Sequence, residues 1–157
     1  MSEGRILWRI SNHDDLTGLG GERSNGRWHT AARGKRIVYL AEHPAVALVE
    51  ALANLEGDPD LFPDGYQLIK AAVSAEVSTE TVDISSLPVD WPNHVGATQT
   101  IGDLWLAEQR SVLLVVPSVP SPESLNYVFN PEHAGATGLV KLWSKRVAYD
   151  KRLFRLK

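Results

Sequence analysis

Apolar and polar positions change their spacing several times along the chain, and each change predicts an element. Ile6-Leu7-Trp8-Arg9-Ile10 is a short apolar run that predicts a first strand, with one cation, Arg9, inside it. A cation in such a run either snorkels to water or points at an anion. The stretch from Arg36 to Glu56 organises the rest. It predicts a buried strand, Ile37 to Ala41, running straight into a helix that starts near Pro44. On a helical wheel Ala45, Leu48, Val49, Leu52 and Leu55 share one face. Glu50, the one charge in the helix interior, falls roughly opposite, beside Val46, Ala53 and Asn54. That second face is small and apolar as well, so its carboxylate is either at the surface or in a pocket.

Downstream, Glu56 to Gly65 is rich in turn residues. Alternation at Tyr66, Leu68, Lys70 and Ala72 predicts a strand over Tyr66 to Val77, and a second short strand spans Thr81 to Ile84. Asp90 to Val95 reads as loop. Thr98 to Gln109 has helical spacing in Ile101, Leu104, Trp105 and Glu108, with Thr98 or Thr100 as N-cap. The most hydrophobic segment, SVLLVVPS from Ser111 to Ser118, predicts a buried central strand terminated by Pro117, with Ser118 just beyond. Asn126 to Asn130 is a further short strand, and two more are expected near Val147 to Tyr149 and Leu153 to Leu156. Strands outnumber helices without strict alternation. The predicted fold class is therefore mixed α/β (α+β), with mainly antiparallel pairing flanked by helices, and not a doubly wound sheet.

Composition narrows the function. A length of 157 residues suits one domain, residues 1–157, with a full core. Sixteen Lys and Arg against nineteen Asp and Glu give a net charge of −3 with no basic run. Direct nucleic-acid binding is not expected, because its affinity comes from clustered cations. The absence of cysteine removes disulfides, thiolate nucleophiles and Cys-based zinc sites, and it suits a cytoplasmic protein. The N-terminus is charged and no apolar run approaches the roughly 20 residues of a bilayer span, so neither a signal peptide nor membrane insertion is expected.

Thr17 to Gly34 contains five glycines and three arginines with almost no aliphatic residue. Glycines let backbone amides approach a ligand closely, and arginines supply bidentate donors to phosphate or carboxylate; the alternative is a mobile surface loop. No Gly-Lys-Ser/Thr follows, and Gly18, Gly20 and Gly21 lack Rossmann spacing. The five histidines show no helical pair spaced for metal, no Gly-x-Ser-x-Gly elbow occurs, and no second acid stands opposite Glu50 as a glycosidase would need. A different set accumulates: Arg9, Arg27, Tyr39, Glu50 and Ser118. Arginines match a pyrophosphate, an aromatic ring stacks on a flat base, and a carboxylate binds ribose hydroxyls and stabilises positive charge at an anomeric carbon. The set suits a dinucleotide whose glycosidic bond breaks.

The segments LWRIS, NGRWH, IVYLAEHPAVALVEAL and VVPSVPSPESLNYVFNPEH, in this order and with eleven residues from Tyr39 to Glu50, resemble the RES-domain toxins of bacterial Xre–RES toxin–antitoxin pairs. The resemblance covers nearly the whole chain. It implies a fold related to the ADP-ribosyltransferases and cleavage of NAD+ at the nicotinamide–ribose bond, by phosphorolysis or hydrolysis. No cofactor is implied: NAD+ is the substrate, and phosphate is a co-substrate on the phosphorolytic route. By matching positions, the catalytic residues would be Glu50, Arg9 and Ser118. Arg27, Tyr39, Asn126, Asn130 and His133 would bind substrate; for the last three, turn and capping roles are the alternative. The implied partner is an antitoxin with an Xre-type helix-turn-helix domain, with room for a homodimer inside the complex. Where the family pattern has Gly-Gly-Arg-Trp-Asn, this chain has Asn25-Gly26-Arg27-Trp28-His29. Two further readings stay open: an ADP-ribosyltransferase acting on a macromolecule, which would bind NAD+ with the same residues, and a non-catalytic module acting through its partner.

Overall fold

A computed structural model describes residues 4–155. Its strands are β1 (Arg5–Ser11), β2 (Val38–Ala41), β3 (Gly65–Val73), β4 (Thr79–Thr81), β5 (Leu113–Pro117), β6 (Leu125–Phe129) and β7 (Leu139–Ala148); its helices are α1 (Pro44–Ala53) and α2 (Val95–Ala107). The strands form one seven-stranded sheet in the order β4-β5-β6-β2-β1-β3-β7. Every neighbouring pair is antiparallel except β4 with β5. The expected mixed class is the class observed.

β1 pairs with β3 along its whole length, but with β2 at one position only, Trp8 opposite Ala41. The sheet is therefore nearly parted between β1 and β2. One side of the sheet buries Leu7, Val38, Leu40, Ala71, Leu113 and Phe129 in a single cluster drawn from both halves. On the other side, residues of β5 and β6 (Leu114, Val116 and Val128) meet Trp105 and Leu106 of α2 and the loop residue Trp28. Trp105 is fully buried, and its indole N–H donates to Ser111 Oγ at 2.7 Å, which satisfies the one polar atom of a large apolar side chain. α1 lies on the same side, with Val46 and Ala47 buried against Ala41, Trp8 and Ile10.

Several expectations change at this level. The closing strand is ten residues long instead of a short one near Val147, and it occupies a sheet edge. Val140 and Leu142 are half exposed there, and Lys141, Lys145 and Arg146 break the hydrophobic pattern while discouraging edge-to-edge pairing. Residues 151–154 form a 3-10 turn where a strand was expected; Leu156, its last residue, lies outside the described residues. β3 stops at Val73, where Ser74 turns the chain by accepting from Val77 N. β4 precedes the expected Thr81 to Ile84, because Asp83 caps a 3-10 turn over Ile84–Ser86. α2 begins at Val95, so Thr98 is not an N-cap: it is fully buried, with its hydroxyl shared between the carbonyls of Arg27 and Val95.

Candidate active site

A cavity of about 560 Å³ opens where β1 and β2 part, within the size range of small-molecule and cofactor sites. Its walls are Trp8, Arg9 and Ile10 of β1, Tyr39 to Ala41 of β2, one face of α1, Pro117 with the turn after it, Asn126, and the glycine-rich loop from Gly20 to His29.

The acidic wall is built by α1. Pro44 opens the helix at N1, and His43 caps it by accepting from Ala45 N at 3.1 Å. The face buried against the sheet is the small one, Val46 and Ala47, while Leu48, Val49 and Leu52 stay half-buried. Glu50 lies one turn beyond Val46 and Ala47, so the packing that seats the helix also turns the carboxylate toward the cavity. Asn126, opposite Ala41 in the β2–β6 register, sits beneath it. Glu50 Oε1 accepts from Ser118 Oγ at 2.7 Å and from Asn126 Nδ2 at 2.8 Å. Among the described residues Oε2 receives no hydrogen bond. Ser118 is itself fixed: it is buried, its N–H donates to Ser124 O, and its Oγ accepts from Ser121 N.

The cationic wall is held differently. Arg9 donates from Nη1 to the Tyr39 carbonyl at 2.9 Å, and Arg27 from Nη1 to the Pro92 carbonyl at 3.1 Å, with its guanidinium 5.9 Å from the Trp91 ring centroid. Neither forms an ion pair with a carboxylate among the described residues, although Lys35, Arg36 and Arg110 do. Burial lowers the Arg9 pKa, with the charge of Asp15 opposing; the guanidinium stays charged at any working pH. Two cations without counter-ions among the described residues, on a cavity that also holds one carboxylate, can chemically accept an anion at one end and stabilise positive charge at the other.

The loop carrying Arg27 is pinned at many points. Gln99 Nε2 donates to Gly26 O at 3.0 Å, and Thr30 donates through both N–H and hydroxyl to the Asp103 carboxylate. α2 can approach this closely only at Gly102, where a Cβ would stand 1.6 Å from the Trp28 carbonyl oxygen. His29, only 2% exposed, faces Gly21 O through Nε2 at 2.9 Å and Tyr39 Oη through Nδ1 at 2.7 Å. A carbonyl only accepts, so Nε2 carries the proton and Nδ1 accepts from the phenol. Tyr39 Oη accepts in turn from Trp28 N at 3.1 Å. Burial raises the Tyr39 pKa well above its ordinary value and lowers that of His29, which keeps both groups neutral near pH 7.

The comparisons fit this architecture. Residues 6–151 match the family model described as the RES domain. The chain belongs to the RES family. This RES domain is 39% identical over 149 residues to a curated Pseudomonas putida protein, Toxin Res, covering 95% of this chain and 99% of the relative. It is 34% identical over 159 residues to the Prs ADP-ribosylating toxin of a Sphingobium species, covering 95% and 96%. In fold it matches a chain in the crystal structure of the M. tuberculosis MbcT–MbcA toxin–antitoxin complex, with a TM-score of 0.70, 19% identity and coverage of 92% and 85%. This RES domain thus shares the fold of that chain.

Of the residues singled out in the RES domain sequence, Arg9, Arg27, Tyr39, Glu50 and Asn126 line the cavity, and Ser118 reaches it through its hydrogen bond to Glu50. Asn130 and His133 do not line it. Asn130 is buried in the turn after β6, where its Oδ1 accepts from Glu132 N and its Nδ2 donates to Gln109 Oε1; His133 Nδ1 accepts from Gly135 N. The structure therefore corrects their expected substrate-binding role to the turn chemistry of short polar side chains. Sequence reasoning had no role for Trp91 or Pro92, and for His29 only a change in how the loop holds its ligand. The one signal was His29 as a departure from the family pattern. Among the described residues no helix is long and apolar enough to cross a membrane, and no group of three or more metal-ligating side chains comes together.

Proposed function

We propose that this RES domain is the toxin of a toxin–antitoxin pair and cleaves NAD+ at the nicotinamide–ribose bond. The observation that carries the reading is the Glu50 carboxylate: two donors hold Oε1, and Oε2 is left for substrate, across a cavity from two arginines without counter-ions. On this reading Arg9 and Arg27 take the pyrophosphate, and the Tyr39 ring packs on the nicotinamide end. Glu50 Oε2 receives a ribose hydroxyl and stabilises the cationic anomeric carbon as the glycosidic bond breaks. Nicotinamide leaves with the electron pair of that bond. A phosphate or water oxygen then bonds to the anomeric carbon and gives up its proton, yielding ADP-ribose-1″-phosphate or ADP-ribose. Ser118 and Asn126 act through Glu50.

The name of the Sphingobium relative favours a second reading, in which the acceptor is a macromolecule. Incubating the purified chain with NAD+, with and without phosphate, and identifying products by mass spectrometry separates the two. Free ADP-ribose or its 1″-phosphate supports the first, and a mass shift on added protein the second. Absence of nicotinamide release under all conditions overturns both. The partner is an antitoxin of the Xre type, and an acidic side chain or chain end from it would satisfy Arg9 or Arg27 in place of phosphate. The co-purified complex should then fail to bind NAD+. Calorimetry showing binding as tight as that of the free chain would refute occlusion.

A further inference from the structure

The chemistry assigned to the cavity uses Arg27 and the ring of Tyr39. It leaves unexplained why a fully buried histidine stands behind them. We infer that His29 is a positioning residue that, with Tyr39, clamps the Arg27 loop in its anion-receiving conformation, and that proton uptake by His29 releases the clamp. The inference rests on NAD+ as the ligand but concerns residues outside the chemical step.

The hydrogen bonds form a continuous sequence in which each donor has one acceptor. His29 Nε2–H donates to Gly21 O, Tyr39 Oη–H donates to His29 Nδ1, and Trp28 N–H donates to Tyr39 Oη. Both ends are on the loop: Gly21 lies before Arg27, and Trp28 directly follows it. Gly26 N–H also donates to His29 O at 3.1 Å, closing the segment around Arg27. The fit leaves no room for a side chain at Gly26, where a Cβ would meet Tyr39 Oη at 2.3 Å and His29 Nδ1 at 2.9 Å. The phenol proton is engaged by His29 and therefore does not serve the substrate; what Tyr39 offers the cavity is its ring.

Protonation breaks this sequence at one atom. A charged His29 carries a proton on Nδ1 as well, and Tyr39 Oη then faces two donors while its own proton has lost its acceptor. The charged groups acting on the pair are Lys35 and Asp103, which pair with each other at 2.7 Å, and Arg9 and Arg27 beside the phenol. Desolvation already disfavours the imidazolium. The folded-state pKa is thus below the unfolded value of roughly 6.5, so the unfolded chain binds more protons in that window. The clamp is fully present above that value and is lost as pH falls through the depressed pKa.

The test uses the full chain with Glu50→Gln to prevent turnover, and NAD+ itself as the probe. Long-range nitrogen NMR should show His29 protonated on Nε2 and bare on Nδ1 at pH 8, and the Trp28 amide should exchange slowly. His29→Ala should weaken NAD+ binding roughly tenfold at pH 8, the scale of one or two lost hydrogen bonds, and should speed Trp28 amide exchange. With active Glu50, the change should fall on KM and leave kcat within about threefold. Lowering the pH should weaken binding to the parent in step with the His29 titration. His29→Asn, whose amide both donates and accepts, should restore most of the affinity and abolish that acidic limb. A proton on Nδ1 at pH 8 would overturn the inference, as would unchanged affinity in His29→Ala or an unchanged acidic limb in His29→Asn. If His29→Ala does not fold, the tautomer and the asparagine variant decide. If no variant binds or cleaves NAD+, the substrate reading fails, and the tautomer and amide exchange still decide the clamp.

Discussion

The two walls of the cavity hold charge by opposite means. Glu50 is fixed by side chains, since the Ser118 hydroxyl and the Asn126 amide both donate to Oε1. Arg9 and Arg27 are fixed by backbone carbonyls, those of Tyr39 and Pro92, and Arg27 also by the Trp91 ring. Side-chain donors stabilise a carboxylate and leave its charge in place. Carbonyls orient a guanidinium without neutralising it, so the cationic wall keeps its appetite for an anion. A carboxylate partner there would have satisfied the arginines and left neither charge free for an anionic ligand. The difference teaches that a site can be recognised by what its charges lack as much as by what they touch.

The sharpest way to break the comparison is Glu50→Gln. The amide oxygen can still accept from Ser118 and Asn126, so shape and hydrogen bonds survive while the charge goes. Nicotinamide release should fall by ~10²–10³-fold, measured by product formation, with an unchanged melting temperature. Retained turnover would mean that Glu50 only places the ribose.

Arg27→Lys probes the other wall. Lysine keeps the charge but loses the planar fork and its stacking on Trp91, and NAD+ affinity should drop about tenfold by calorimetry. A variant equal to the parent would reduce Arg27 to general charge. Ser118→Ala removes one of the two donors on Glu50 and leaves Asn126 to hold it; about a fivefold loss in kcat/KM is expected, the worth of roughly 1 kcal/mol. A loss as large as that of Glu50→Gln would place Ser118 in the chemistry itself. Asn130→Ala gives the smallest effect on activity, within about twofold, because it lies off both walls. It should still lower stability by about 1–3 kcal/mol in a denaturant titration, since Glu132 N–H and Gln109 lose a buried partner.

These walls were unequally legible. The acidic side announced itself because Glu50 interrupts an otherwise neutral helix, and the apolar run before Ser118 marked a buried strand, although β5 stands second from the sheet edge and not at its centre. What spacing alone could not tell was which face of α1 is buried: the sheet takes the small Val46–Ala47 face, since Trp8 and Ile10 already supply the bulk. The edge strand β7 was mostly missed for the converse reason, as exposed positions need not follow a hydrophobic period. Asn130 and His133 shared a segment with Asn126, but Asn126 faces α1 across from Ala41, whereas the other two follow the strand into its turn. The clamp on Arg27 joins backbone atoms to a buried ring, and carbonyls and amides carry no sequence signal.

The separation of the acidic wall along the chain has a consequence for the order in which the protein is made. Asn126 follows Glu50 by 76 residues and Ser118 by 68, and β2 and β6 must pair before either reaches it. Contacts this distant form late and only after a large loop closes. During synthesis, which proceeds at roughly 5–20 residues per second, the first half of the chain can raise α1 and present Glu50 with no hydroxyl or amide to hold it. For an enzyme that consumes NAD+ as proposed, translation itself is then a period of grace: an unfinished copy carries the acid without the site, and a truncated one never acquires it.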